Sequence, residues 1–173
     1  MNLIVWNCHG LRNLHTGKEL EALIRAKDPS VVFLAETWVD EARLEEVQRN
    51  IKFDNLFFVK RNPRGGGGLA LYWKNSSDVH VDSFSKYHID SIINKGGNDE
   101  WRFTGFYGEP ATHIRSEAWN KLRLLNTQHN LPWLCAGDFN EITRSSENWE
   151  AAIEVKLKCN FLEMSLMNAD FLT

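Results

Sequence analysis

The chain has 173 residues, the length of one ordinary domain, and 43% of them are hydrophobic and 25% charged. That apolar content excludes intrinsic disorder. The formal net charge is −3, from 20 Lys and Arg against 23 Asp and Glu, which excludes a passive binder held to nucleic acid by global positive charge but not an enzyme with a local groove.

No apolar run approaches the ~20 residues that a membrane helix requires. The start of the chain has no basic leader and is too short for a signal peptide. Cys8, Cys135 and Cys159 are far apart and show no CxxC or zinc-ligand spacing. These features give the expectation of an intracellular, non-secreted protein with buried, reduced thiols and no membrane partner.

In chain order, residues 2–6 form a short β-branched, apolar run that predicts a strand. Thr16 and Glu19 have capping-box spacing and precede Leu20, Leu23 and Ile24, so a helix is expected that stops at Asp28 and Pro29. Residues 31–35 are continuously apolar, the mark of a strand buried on both faces. Asp40 can cap a second helix that carries Leu44, Val47 and Ile51 on one face.

The middle of the chain reads as strands at 56–59 and 69–73, separated by the glycine turn 65–68. A half-exposed strand follows, with Val79, Val81 and Phe84 inward, and then a strand at 87–93. The next strand begins at Trp101, where Trp101, Phe103 and Gly105 alternate with Arg102, Thr104 and Phe106. Residues 113–128 predict a helix with Ile114, Ala118, Leu122 and Leu125 on one stripe. Residues 132–136 predict a buried strand, and residues 153–167 a last helix. The fold class expected is α/β (α+β): one domain over residues 1–173, with mixed sheets layered together and helices outside.

Four segments fall at strand ends, where layered α/β folds build sites. They are WNCHG at 6–10, LAETW at 34–38, GFYG at 105–108 and GDFNE at 137–141. Glu36 follows five apolar residues. A carboxylate at the mouth of a buried strand needs a partner, and Mg²⁺, which prefers oxygen ligands, is one; a helix cap or a salt bridge is another.

Asp138 and Asn140 share a face if the strand continues, with Phe139 toward the core, and an acceptor beside an amide can hold a water or a phosphate. The same residues also read as a turn. Asn7 reads as a site residue or an Asx-turn, and Tyr107 as a phosphate donor or a core-edge tyrosine. The run Gly65 to Gly68 lacks the P-loop pattern and reads as a hairpin turn. Lys60, Arg61, Arg64 and Lys74 around it form a solvated face or a contact for a phosphate backbone. None of the six histidines makes a metal pair at helical spacing. His9 alone lies in a site loop, beside Asn7, where it can contact a substrate.

Together and in this order, WNCHG, LAETW, GGGLALYWK at 66–74 and GDFNEI at 137–142 resemble the endonuclease/exonuclease/phosphatase superfamily, the fold of apurinic endonucleases and DNase I. Within it they look most like the endonuclease domain of plant LINE-type, non-LTR retrotransposons, over about residues 1–170. The resemblance implies a four-layered α/β/β/α sandwich and Mg²⁺-assisted hydrolysis of a phosphodiester, with Mn²⁺ as the alternative ion. Glu36 matches the principal metal ligand, and Asn7 the first-strand asparagine near the metal and the substrate. Tyr107 and Asn140 match residues that contact the scissile phosphate, and Asp138 the aspartate that orients the attacking water. His9 stands where apurinic endonucleases carry an aspartate, as a substrate contact.

DNA is the partner implied, no obligate protein partner is inferable from the sequence, and the nick would prime reverse transcription, a role compatible with the nucleus. The family ends on a Ser-Asp-His strand that this sequence lacks. The expectation is therefore a domain incomplete at its C-terminus and impaired in rate, since one general acid–base partner contributes about 10²–10⁴-fold. A non-catalytic remnant or an interaction module that keeps the fold is the alternative, and a phosphatase acting on a small phosphoester a further one.

Overall fold

The computed structural model describes residues 1–61 and 67–140. The first sheet contains β1 (Leu3–Asn7), β2 (Val31–Ala35), β3 (Asn55–Val59) and β4 (Leu69–Trp73), in the order β1-β2-β4-β3. β2 is buried along its whole length, as its unbroken apolar run requires. It pairs parallel with β1, from Leu3↔Val31 to Asn7↔Ala35, and antiparallel with β4. Helices α1 (Leu14–Lys27) and α2 (Glu41–Ile51) cover one face of this sheet. Leu20, Leu44, Val47 and Ile51 pack there on Ile4, Val32, Leu34 and Tyr72.

The second sheet runs β5 (Val79–Ser85), β6 (His88–Ile93), β7 (Trp101–Tyr107) and β8 (Trp133–Asp138), in that spatial order. β7 and β8 are parallel, joined through a 3₁₀ turn at Thr112–Ile114 and helix α3 (Arg115–Asn126). Ala118 and Leu122 of α3 pack on Tyr87 and Phe106. The inner faces of the two sheets meet through Val31, Phe33, Leu69 and Leu71 on one side and Ile89, Phe103 and Leu134 on the other. The layers are thus helix, sheet, sheet, helix, the sandwich expected from the sequence. Among the described residues, no helix is long and apolar enough to cross a membrane.

Several expectations are corrected in detail. The cap of α1 is Asn13, whose Oδ1 accepts from the His15 amide at 2.9 Å, and the helix starts before Thr16. Asparagine is among the strongest N-caps, and here it precedes Thr16 in the chain. On β5 a bulge between Val81 and Ser83 shifts the register so that Phe84 pairs with Ile89 and keeps the face of Val79 and Val81, as expected; on this edge strand its ring lies against Phe57 and it stays 59% exposed. Arg102 and Thr104 are buried because α3 covers that face of β7. The Arg102 guanidinium donates to both oxygens of Asp90 and, at 2.6 Å, to the Leu125 carbonyl near the end of α3. Cys8 is buried and Cys135 half-buried. Cys159, Arg64 and the helix expected at 153–167 lie outside the described residues.

The distance between the sheets is set at β2 and β7. The Phe33 ring sits directly over Gly105, where a β-carbon would collide with it, and makes an edge-to-face contact with Phe103 at 6.2 Å between centroids. Gly105 is two residues before Tyr107, and Phe33 three before Glu36. Gly105→Ala is expected to force these strands apart and to cost about 3 kcal/mol, the upper range for overpacking a core. A urea-denaturation midpoint checks this; an unchanged midpoint would show that the sheets are not held at that contact.

Candidate active site

Four strands end on the same rim. β1 and β2 are parallel, so Asn7 and the residue after Ala35 leave the first sheet side by side. β7 and β8 are parallel in the second, with Tyr107 paired to Asp138. Beyond β1 and β2 the chain keeps its pairing. Cys8 N–H donates to the Ala35 carbonyl at 3.0 Å, Gly10 N–H to Glu36 at 2.8 Å and Leu11 N–H to Thr37 at 2.9 Å. Thr37 and Trp38 donate in turn to the carbonyls of Gly68 and Gly67. His9, Glu36, Trp38 and Asn140 have positive φ, from 46° to 54°. A cluster of left-handed non-glycine residues is held only where surrounding structure over-determines it, and such clusters gather at functional sites.

The Glu36 side chain is only 12% exposed. Its Oε1 accepts from the Tyr107 hydroxyl at 2.5 Å, and its Oε2 lies 3.0 Å from His9 Nδ1. Asp138 is held separately. Its Oδ2 accepts from Asn7 Nδ2 at 2.8 Å and its Oδ1 from the Asn140 amide at 2.9 Å. Asn140 Nδ2 donates to the Gly108 carbonyl at 2.8 Å, and Gly108 N–H to the Asp138 carbonyl at 2.7 Å.

The structure brings all six predicted residues, Asn7, His9, Glu36, Tyr107, Asp138 and Asn140, into one connected group. The strand and turn readings of 138–140 are reconciled: β8 ends at Asp138, and Asn140 closes an Asx-type turn rather than continuing the alternation. Phe139 packs on Phe106 and Trp119.

The group of basic residues expected around the glycine turn is divided. Lys74 sits at the far end of β4, 2.7 Å from Asp28, whereas Lys60 and Arg61 stay on the site side. Sequence reasoning did not assign Gly108, whose carbonyl fixes Asn140, or Trp38 as an individual residue. The signal for Trp38 was its position two residues after Glu36.

The donor set fits a hard divalent cation. The carboxylates are held by the Tyr107 hydroxyl, the Asn7 side-chain amide, the Asn140 backbone N–H and His9. Asn7 gives its amide N–H to Asp138, which leaves its carbonyl oxygen, near the His9 amide at 3.4 Å, as a further oxygen donor beside Glu36. A second acidic group, Asp82, Asp90 and His129, lies on other elements. Its Asp90 is already engaged by Arg102 and Thr104.

Burial pushes the Tyr107 phenol well above the ordinary tyrosine range, and the bond to Glu36 and its charge push the same way, against a smaller opposing effect from Asn140. The phenol therefore stays protonated and donating. Burial also raises Tyr72 and Tyr87, the other two of the three tyrosines. The folded protein is expected to titrate all three tyrosines with midpoints above the ordinary value of 10, and to show the ordinary midpoint on unfolding. A spectrophotometric pH titration checks this, and one tyrosine titrating at or below pH 10 in the folded protein would contradict it.

The model of the endonuclease/exonuclease/phosphatase family matches residues 4–159. No curated protein matches the chain. Among solved structures, D. rerio TDP2 humanized by 14 mutations is similar at 17% identity and a TM-score of 0.59, over 82% of this chain and 66% of that one. The endonuclease domain of TRAS1, a telomere-specific non-LTR retrotransposon, is similar at 15% identity and a TM-score of 0.59, over 82% of this chain and 59% of that one. The mannosyl-6-phosphatase Bt3783 of Bacteroides thetaiotaomicron VPI-5482 is similar at 13% identity and a TM-score of 0.61, over 88% and 70%. The chain thus spans somewhat under two thirds of the length of the first two. At these identities the likeness is one of fold. The family match covers most of the chain, and with the sandwich and the strand-end site it makes this chain a member of the endonuclease/exonuclease/phosphatase family.

Proposed function

We propose that the chain is one catalytic domain, an Mg²⁺-dependent phosphodiester hydrolase that nicks DNA inside the cell, derived from a plant LINE-type retrotransposon. The observation that carries this reading is the pairing of two carboxylates, Glu36 and Asp138, on neutral hydrogen-bond donors at one rim of the sandwich. The names of two similar structures, a non-LTR retrotransposon endonuclease domain and TDP2, support DNA as the substrate.

Glu36, with the Asn7 carbonyl oxygen, would hold the cation; Mg²⁺ suits such oxygen donors, and Mn²⁺ can replace it. When bound, the ion supplies a positive charge that offsets the charge developing on the phosphate and the leaving oxygen. Asp138 is the proton acceptor for the attacking water. Asn7 and the Asn140 amide fix its two oxygens, so it is oriented before substrate arrives. Tyr107 and the second Nδ2–H of the Asn140 side chain donate to phosphate oxygens. For Tyr107 this means exchanging its bond to Glu36 for one to the substrate, with the phenol kept protonated by burial. His9, with a side chain 61% exposed, contacts the substrate at the mouth of the site.

Purified protein incubated with supercoiled plasmid and Mg²⁺ is expected to produce nicked circles. Glu36→Gln should lower the rate at least about 10²-fold, and EDTA should abolish it. A folded wild-type sample that nicks no faster than a buffer blank would overturn this reading and favour a non-catalytic member that keeps the fold.

A further inference from the structure

Trp38 lies two residues beyond Glu36, at the lip of the site, and is 38% exposed. Its backbone is left-handed, with φ of 53°, a conformation that bulky residues adopt only under constraint. One face of the indole lies against Gly10, where an added β-carbon would stand 2.7 Å from Trp38 Cε3. His9, the residue bonded to Glu36, meets the indole edge-to-face with ring centroids 6.4 Å apart. The ring is thus clamped by the loop that also places His9, and part of it is left open to solvent.

The other exposed large apolar side chains lie elsewhere. Leu14 begins α1, Leu124 is on α3, Met1 is at the chain start, and Phe84 is on β5 against Phe57. Among the described residues, only Trp38 of these lies beside the candidate site, against His9. A pocket of about 360 Å³ opens beside Val39, lined by Asp40 and Glu41 as well as Lys60 and Arg61.

A flat rigid aromatic beside a phosphoester site is a platform for a nucleobase, because every base offers a π face to stack on. Such a contact matters more here than in a basic nuclease. With a net charge of −3 and two carboxylates at the rim, the chain attracts a polyanion only weakly, so affinity has to come from contacts that charge does not supply.

We infer that Trp38 is a substrate-specificity residue that stacks on a nucleobase flanking the scissile phosphate. This selects polynucleotides over simple phosphoesters, and it rests on the phosphodiesterase reading above.

The test is fluorescence anisotropy with a labelled single-stranded oligodeoxynucleotide and a strand of equal length and charge whose sugars carry no bases, in Ca²⁺ so that binding is read without turnover. Wild type is expected to bind the base-bearing strand about 5- to 150-fold more tightly, the range for one stacked base. Trp38→Leu, which still fills the space over Gly10 but has no ring, should lose that preference while its affinity for the base-free strand is unchanged. Trp38→Phe should keep part of it, and thermal melts should show that both variants are folded.

Equal wild-type affinity for the two strands, or Leu and Phe variants that behave alike on the base-bearing strand, would overturn the inference. So would a loss on both strands together. Plasmid nicking separates this from the catalytic reading: base-selective binding without nicking sinks only the latter, and nicking with no effect of Trp38 sinks only the stacking.

Discussion

The hydrogen bond from Tyr107 to Glu36 joins two sheets whose inner faces meet through apolar side chains. Tyr107 closes β7 in the second sheet, and Glu36 follows β2 in the first. A second bond of the same kind, from Asn7 to Asp138, crosses between the sheets beside it. Each carboxylate is thereby partly withdrawn from water on a neutral donor, and Glu36 has His9 as a further partner. That arrangement holds their positions by hydrogen bonds. A site built this way is organised in advance for a divalent cation and its phosphate ligand.

The bridges can form only because the scaffold brings four strand ends to one place. Two parallel pairs, β1 with β2 and β7 with β8, deliver Asn7, Glu36, Tyr107 and Asp138 to the same rim, and the Phe33 contact on Gly105 sets how closely the sheets approach. Short polar turns then finish the job. Asn140 locks Asp138 and is itself locked by Gly108, while His9 and Trp38 sit on left-handed backbone held by the continued pairing of the loops. Rigid strands give the position and turns give the aim, a division that suits chemistry requiring placement within fractions of an ångström.

Much of this was legible in the sequence because the relevant strands are apolar runs that stop abruptly at a polar residue. Val31 to Ala35 could only be a buried strand, and a carboxylate directly after it had to be at its mouth. The helical stripe Leu44, Val47 and Ile51 likewise reads directly as a buried face. What failed depended on partners distant in the chain. Arg102 and Thr104, polar by type, are buried by α3 and held by Asp90. Lys74, read with Lys60 and Arg61 as one basic group, is separated from them by the length of β4. Thr16 looked like the helix cap, but Asn13 comes first in the chain and fills that role. The order of strands within each sheet, and with it the convergence of the four ends, has no local signal at all.

The central claim is that the rim formed by Glu36 and Asn7 is where a divalent cation belongs. Paramagnetic broadening of amide NMR signals by substoichiometric Mn²⁺ tests it most directly, because it reports position without requiring turnover. The account predicts that broadening centres on Cys8, Glu36, Tyr107 and Asp138 and disappears in Glu36→Gln. Broadening centred on Asp82 and His129 instead, or a pattern unchanged by that substitution, would contradict it.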